Sequence, residues 1–226
     1  MQIPFDLISL SSIIAAVVSF LLSTYLFKVW HDQPGRLYTD LPLMFGFTFI
    51  GQALNSLIQG LTLGGFLPST MTVFRIRSLV ICITTFPLLG ALLNIWLSKF
   101  KDHHLKIMAV LVAYWITISL FAPSQNMIML LHMPILLVLM LGLIATFFIT
   151  WRTGKLKEVR SDLLLLSLLL SLVSQLFRIP LLDIGAGFIS DVLNVVAILV
   201  ATLALTNPWF GNSQAHLPES SDMDYM

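Results

Sequence analysis

The amino-acid sequence predicts an all-α, polytopic transmembrane bundle of seven helices, N-terminus outside and C-terminus inside. Three observations carry this reading. Of 226 residues, 58% are hydrophobic and only 10% charged, and the mean hydropathy is +0.94. A soluble domain of this size would present far more charge to water. Seven apolar segments reach or approach the roughly 20 residues that a bilayer core of about 30 Å asks of a helix. Finally, the lysines and arginines sit almost wholly on one side of those segments.

The spans read, in order, as Ile3–Phe27, Leu41–Leu63, Val73–Leu97, Leu105–Phe121, Met127–Trp151, Asp162–Leu182 and Ala186–Leu205. The first lacks a basic leader and a small-residue cleavage site, so it reads as a retained helix rather than a signal peptide. Gln33-Pro34-Gly35 ends it. The second closes at Gly64-Gly65 with Pro68, the fourth at Ala122-Pro123-Ser124, the fifth at Thr153-Gly154 and the sixth at Gly185-Ala186-Gly187, all turn chemistry. The fourth is the shortest. The sixth is the clearest, since Leu163–Leu166 and Leu168–Leu170 are interrupted only by Ser167. One domain, 1–211, therefore holds the whole bundle. Residues 212–226 are polar, with Pro218 and the acids Glu219, Asp222 and Asp224, and are expected to form a disordered cytoplasmic tail.

Loop charge sets the orientation. Lys28, Arg36, Lys99, Lys101, Lys106, Arg152, Lys155, Lys157 and Arg160 follow helices one, three and five, nine of the twelve basic residues. Arg75, Arg77 and Arg178 lie at the other side. The positive-inside rule then puts the N-terminus outside and the C-terminus in the cytoplasm, for a multi-pass protein of the cell membrane. A net charge of +1 offers nothing to nucleic acid. Cys82 is the only cysteine, which excludes an internal disulfide and a cysteine metal cluster.

A weak internal repeat is visible. Residues 20–27 lie over 142–149, and Asp40-Leu41-Pro42-Leu43 then lies over Asp162-Leu163-Leu164-Leu165 without a gap. Helices one and two thus resemble five and six, which suggests three helices, a linker helix and three more in parallel, as in some transporters. The likeness of all apolar helices to one another is the competing explanation. Asp40 and Asp162 also each open a helix, where a carboxylate is expected to cap free N–H groups and oppose the dipole.

Polar residues inside the spans gather toward one end. Helix two carries Gln52, Asn55 and Gln59, helix three opens with Arg75 and Arg77, helix six ends with Gln175 and Arg178, and helix seven carries Asp191 and Asn194. Gln52/Asn55, Gln175/Arg178 and Asp191/Asn194 are each three residues apart and share a helix face. Membrane charges normally turn toward the bundle interior or a cavity. The expected site is a small outward-facing polar pocket between helices two, three, six and seven, formed by Gln52, Asn55, Arg75, Arg77, Gln175, Arg178, Asp191 and Asn194. Asp191 is its most buried charge, paired with Arg178, Arg75 or Arg77. The plainer reading is that these groups only hold helices together, at about 0.6 kcal/mol per contact. Both remain open at this point.

Other chemistries find no support. Met127, Met129, His132 and Met133 are soft ligands that would suit Cu(I), but they do not share one helix face. His132 reads better as a hydrogen-bonded bundle residue near Pro134. No lysine lies in helix seven for a retinal Schiff base. His132 is the one histidine within a span, too few for bis-histidine haem, and His103-His104 reads as a solvated loop pair. There is no HExxH, Gly-x-Ser-x-Gly or Gly-rich phosphate loop. We expect no cofactor, no metal and no enzymatic activity.

The run Trp30-His31-Asp32-Gln33-Pro34-Gly35-Arg36 before the second helix, and Phe74-Arg75-Ile76-Arg77 at the head of the third, resemble the seven-helix sensory modules attached to some histidine kinases. The likeness spans nearly the whole chain as a pattern of lengths and loop charges. It implies a membrane module that passes its state to a partner by helix contact. The chain departs from that family after Trp209-Phe210, where only a short tail follows and no kinase. A similarity to three-plus-one-plus-three transporters of the PQ-loop type is weakened by the lack of a Pro-Gln dipeptide. The expected function is a non-enzymatic membrane protein acting through partners, as an accessory subunit of a membrane complex or a sensor-like module. The lipid bilayer, other membrane subunits and a small-molecule ligand are the expected partners. The alternative is a small-solute transporter using the outer polar residues, for which Pro87 and Pro134 are the expected helix breaks.

Overall fold

A computed structural model describes residues 7–33, 35–38, 40–154 and 159–206, without the side chains of Ser98, Lys101 and Ile179. The expected tail at 212–226 lies outside the described residues, as do Lys155 and Lys157. Seven α-helices account for nearly all of it: α1 Leu7–Asp32, α2 Leu41–Leu63, α3 Met71–Trp96, α4 Lys101–Phe121, α5 Gln125–Thr153, α6 Ser161–Asp183 and α7 Gly187–Thr206. A single 3₁₀ turn, Ser98–Phe100, joins α3 to α4, and no strand occurs among the described residues. All seven helices contain a stretch long and apolar enough to cross a membrane. The chain is an all-α, multi-pass membrane protein.

Local chemistry sets the ends. Thr70 accepts a hydrogen bond from Val73 N and starts α3, and Ser124 accepts from Met127 N and starts α5. Gly154 closes α5 in the left-handed region at φ 61, where a Cβ would be strained. Several helices outrun the spans read from hydropathy. α1 continues to Asp32 and α4 begins at Lys101, because backbone hydrogen bonding persists into polar turns beyond the apolar stretch.

Expectations about the ends and breaks are met in part. Asp40 holds the N-cap position of α2, but its carboxylate turns back to accept from Leu37 N at 2.8 Å. Asp162 lies in the first turn of α6 as expected, and its carboxylate accepts from Arg160 at 2.7 and 3.3 Å and meets the backbone N–H groups of Asp162 and Leu163. Pro87 and Pro134 do not break their helices, since α3 and α5 run through them. Proline in a membrane helix is tolerated where neighbours re-satisfy the freed carbonyl.

The helices form a closed ring in the order α1, α2, α3, α5, α6, α7 and back to α1, with α4 outside it against α3 and α5. The closest packing is between α1 and α2, and small residues explain it. Ser9, Ser12, Ala15, Ala16, Ser19 and Ser23 form the buried face of α1. Ser9 donates to the Gly60 carbonyl and Ser23 to the Gly46 carbonyl, both at 2.8 Å. A Cβ on Gly60 would lie 2.9 Å from Ile13 Cγ1 and 3.2 Å from the Ser9 carbonyl oxygen. Such contacts let membrane helices gain dispersion energy where lipid supplies no hydrophobic drive. The apolar core, with Phe45, Phe86, Trp115, Phe147 and Leu164, fills the ring and the seam under α4.

Short turns alternate the helix directions, so the two ends of the bundle differ in charge. Lys28, Arg36, Lys99, Lys106, Arg152 and Arg160 share one end, and Arg75, Arg77 and Arg178 the other.

Candidate functional site

The arginine-bearing end contains two polar networks. The first joins α1, α6 and α7. Asp191, in the first turns of α7, is 4% exposed. Its Oδ2 accepts from Ser11 and Ser12, each at 2.7 Å, and its Oδ1 accepts from Arg178 Nη2 at 3.2 Å. A carboxylate taken from water needs this much compensation to stay charged. Of the three arginines expected to compete for it, Arg178 is the partner.

The second network joins α2 and α3. Arg77 donates from Nε to Asn55 Oδ1 at 3.2 Å and from Nη2 to Gln59 Oε1 at 3.1 Å. Both acceptors are neutral amides, and no described carboxylate pairs with Arg77. Arg75 does not join either network. Its Nη2 donates to the Ala122 carbonyl at 3.2 Å, at the close of α4, and its buried Nε has no partner. Facing α4 rather than the ring interior removes Arg75 from the expected pocket.

The pocket itself differs from expectation in depth and character. A cavity of about 470 Å³ lies near mid-height of the bundle, walled by α2, α3, α5, α6 and α7. Its volume is in the range of small-molecule sites. The wall is mainly apolar, from Phe45 and Phe49 to Leu139 and Leu168, with Gln52, Asn55, Gln175 and Asn194 among its few polar groups. Four of the eight expected residues therefore line it. Arg77 touches it only through Asn55, while Arg178 and Asp191 stand above it.

The amides in the cavity are not equally satisfied. Asn55 is committed to Arg77, and Gln52 Nε2 reaches Ser56 Oγ at 3.4 Å. Asn194 is 6% exposed, yet its side chain makes no hydrogen bond with any described residue. Neither Gln175 nor the cavity-lining Ser171 has a side-chain hydrogen bond among the described residues. The amide atoms of Asn194 are not among the fully buried unpaired atoms, so they face the cavity space, where an occupant with a polar atom can bond them.

A third polar cluster sits under α4, away from the cavity. His132 stacks on Trp115 with centroids 3.8 Å apart and planes 3° from parallel. Trp115 Nε1 donates to the Ser78 carbonyl at 2.9 Å. Ser119 Oγ donates to the Trp115 carbonyl, so in its 2.8 Å contact with Ser78 it must accept. Ser78 thereby spends its proton, and the 3.3 Å contact with His132 Nδ1 requires the ring nitrogen to donate. His132 then carries a proton on Nδ1, and its buried Nε2 has no partner among the described residues. Its role is structural, joining α3, α4 and α5. Met127, Met129 and Met133 point outward, 43%, 46% and 58% exposed, and do not gather around it.

His104 is also corrected. It lies in the first turn of α4, not in a loop, with Nδ1 2.9 Å from Asn94 Oδ1 and Nε2 2.8 Å from the Leu97 carbonyl. It clasps the end of α3. At the same end, a more open depression of about 480 Å³ beside Lys28, Trp30 and Tyr38 contains no buried polar group.

Sequence reasoning missed Ser11 and Ser12. The signal was present, since Ser9, Ser12, Ser19 and Ser23 recur at helical spacing in an otherwise apolar segment. It also missed the contribution of α5 to the cavity, because the α5 wall is wholly apolar. The chain matches no protein-family model, no curated protein and no solved structure.

Proposed function

We propose that this chain is a non-enzymatic, sensor-like module of the cell membrane that binds a small molecule in the central cavity and passes its occupancy to partner proteins. The observation that carries this is Asn194, a buried amide in a mid-height cavity with no protein partner for its side chain. A subunit that served only as a scaffold would be expected to fill such a space with apolar packing. Loop charge supports an N-terminus outside and a C-terminus in the cytoplasm, with the two arginine networks in the outer half. The exposed apolar face of α4, which includes Leu105, Val110 and Phe121, is the surface we assign to partner helices.

Transport by a three-plus-one-plus-three protein is the second reading. The ring order supports it, since α4 stands outside while α1–α3 and α5–α7 follow one another around the cavity. The unbroken α3 and α5 weigh against it, because transporter sites are typically built at discontinuous helices.

Native mass spectrometry of the chain extracted from its own membrane tests the binding. The expected result is a small-molecule adduct in fixed ratio, absent from a folded Ser171→Phe variant whose ring fills the cavity. The same adduct retained by that variant would remove the cavity from the function.

A further inference from the structure

We infer that the cavity takes an amphipathic anion from the membrane, a single-chain carboxylic acid whose head lies at the Asn55 edge, behind which Arg77 stands, and whose chain follows the apolar wall toward α5 and α6. This deepens the ligand-binding reading and rests on it. Charge is the first argument. The outer end contains Arg75, Arg77 and Arg178 within helices, against two described carboxylates. Asp191 is committed to Arg178, and Asp183, exposed at the close of α6, makes no ion pair. Arg77 meets only the amide oxygens of Asn55 and Gln59, and its Nη1 donates to no described residue. A guanidinium in a membrane span normally finds a counter-charge or a water-filled cavity. Here Asn55 belongs both to the Arg77 network and to the cavity wall, so the positive charge sits at the outer edge of the empty space. Arginine presents its donors in a fork that fits a carboxylate.

Access is the second argument. Met133 and Leu137 on α5 and Leu176 on α6 line the cavity, yet they are 58%, 53% and 66% exposed on the lipid-facing surface. Gln175, also exposed, stands at the same mouth. The cavity thus opens sideways between the outer halves of α5 and α6, toward the acyl region rather than toward water. An apolar wall, a lateral mouth and a cation at the outer end together match a charged head on one hydrocarbon chain.

The test uses the whole chain in phosphatidylcholine nanodiscs and radiolabelled palmitate, with hexadecanol, hexadecylammonium and acetate as competitors. Palmitate should bind saturably, hexadecanol should compete about tenfold or more weakly, the order expected for losing a charge-assisted hydrogen bond, and hexadecylammonium and acetate should not compete. Arg77→Gln should weaken palmitate by a similar factor and leave hexadecanol unchanged, while Arg77→Lys, which keeps the charge but not the fork, should weaken palmitate less than Arg77→Gln does. Leu137→Trp, at a position 53% exposed, should slow palmitate association by narrowing the mouth. Equal binding of hexadecanol and palmitate, competition by acetate alone, or full affinity in a folded Arg77→Gln variant would each overturn the inference. Absence of saturable palmitate binding overturns it too. If the native adduct of the preceding test persists in that case, the cavity reading survives; if it is absent as well, both fall.

Discussion

Replacing Asp191 with asparagine should destabilise the bundle by about 3 kcal/mol. The carboxylate is 5% exposed at the side chain and Arg178 16%, so both are largely out of water. Breaking such a pair from one side leaves an uncompensated charge and typically costs about 3–5 kcal/mol. The lower end applies here, because Arg178 sits one turn from the end of α6 and can move its head toward that end. Ser11 and Ser12 lose a charged acceptor but keep an amide oxygen or nitrogen to bond. The double variant Arg178→Met with Asp191→Asn should be more stable than Asp191→Asn alone, since the stranded guanidinium is gone. The assay is reversible unfolding in mixed micelles, following helical circular dichroism as the fraction of denaturing detergent rises. A loss below about 1 kcal/mol for Asp191→Asn, or a double variant as weak as the sum of its single changes, would refute the burial and pairing argument.

Trp115→Ala should cost about 3–5 kcal/mol, since the indole is 1% exposed and bonded to Ser78, whereas His132→Phe should cost less than about 1 kcal/mol by keeping the stack and removing an unpartnered nitrogen. The same unfolding assay separates them. Gly60→Ala should destabilise by about 1–3 kcal/mol through its contacts with Ile13 and Ser9, while Gly90→Ala, whose Cβ would meet only Met108 Cε at 3.7 Å, should stabilise by up to about 1 kcal/mol. In a Cys82→Ser background, a cysteine at Arg36 should react with an impermeant thiol reagent only after the membrane is opened, and one at Gly65 should react in intact cells. The reverse pattern would invert the proposed orientation.

Much of the site was legible because membrane polarity is conspicuous. Asp191, Arg178, Asn55 and Arg77 stand out in apolar helices, and their three-residue spacing puts neighbours on shared faces. What could not be read was which face meets which. Asp191 had three arginines to choose from; the ring order, with α7 between α1 and α6, gave it Arg178 and added Ser11 and Ser12. Arg75 and Arg77 are two residues apart and therefore point to different sides of α3, one toward α4 and one toward α2.

The sequence by itself determined the class of the molecule: seven membrane helices, their order and turns, and a strong asymmetry of charge between the two ends. Hydropathy and turn chemistry are local properties, and each segment carries its own. The tertiary structure decided the rest. The close approach of α1 to α2 at Ser9 and Gly60, the exclusion of α4 from the ring, and the cavity with its unpaired Asn194 all depend on side chains from helices distant in the chain. An empty volume has no residue of its own, so only the packing of five helices around it could reveal it.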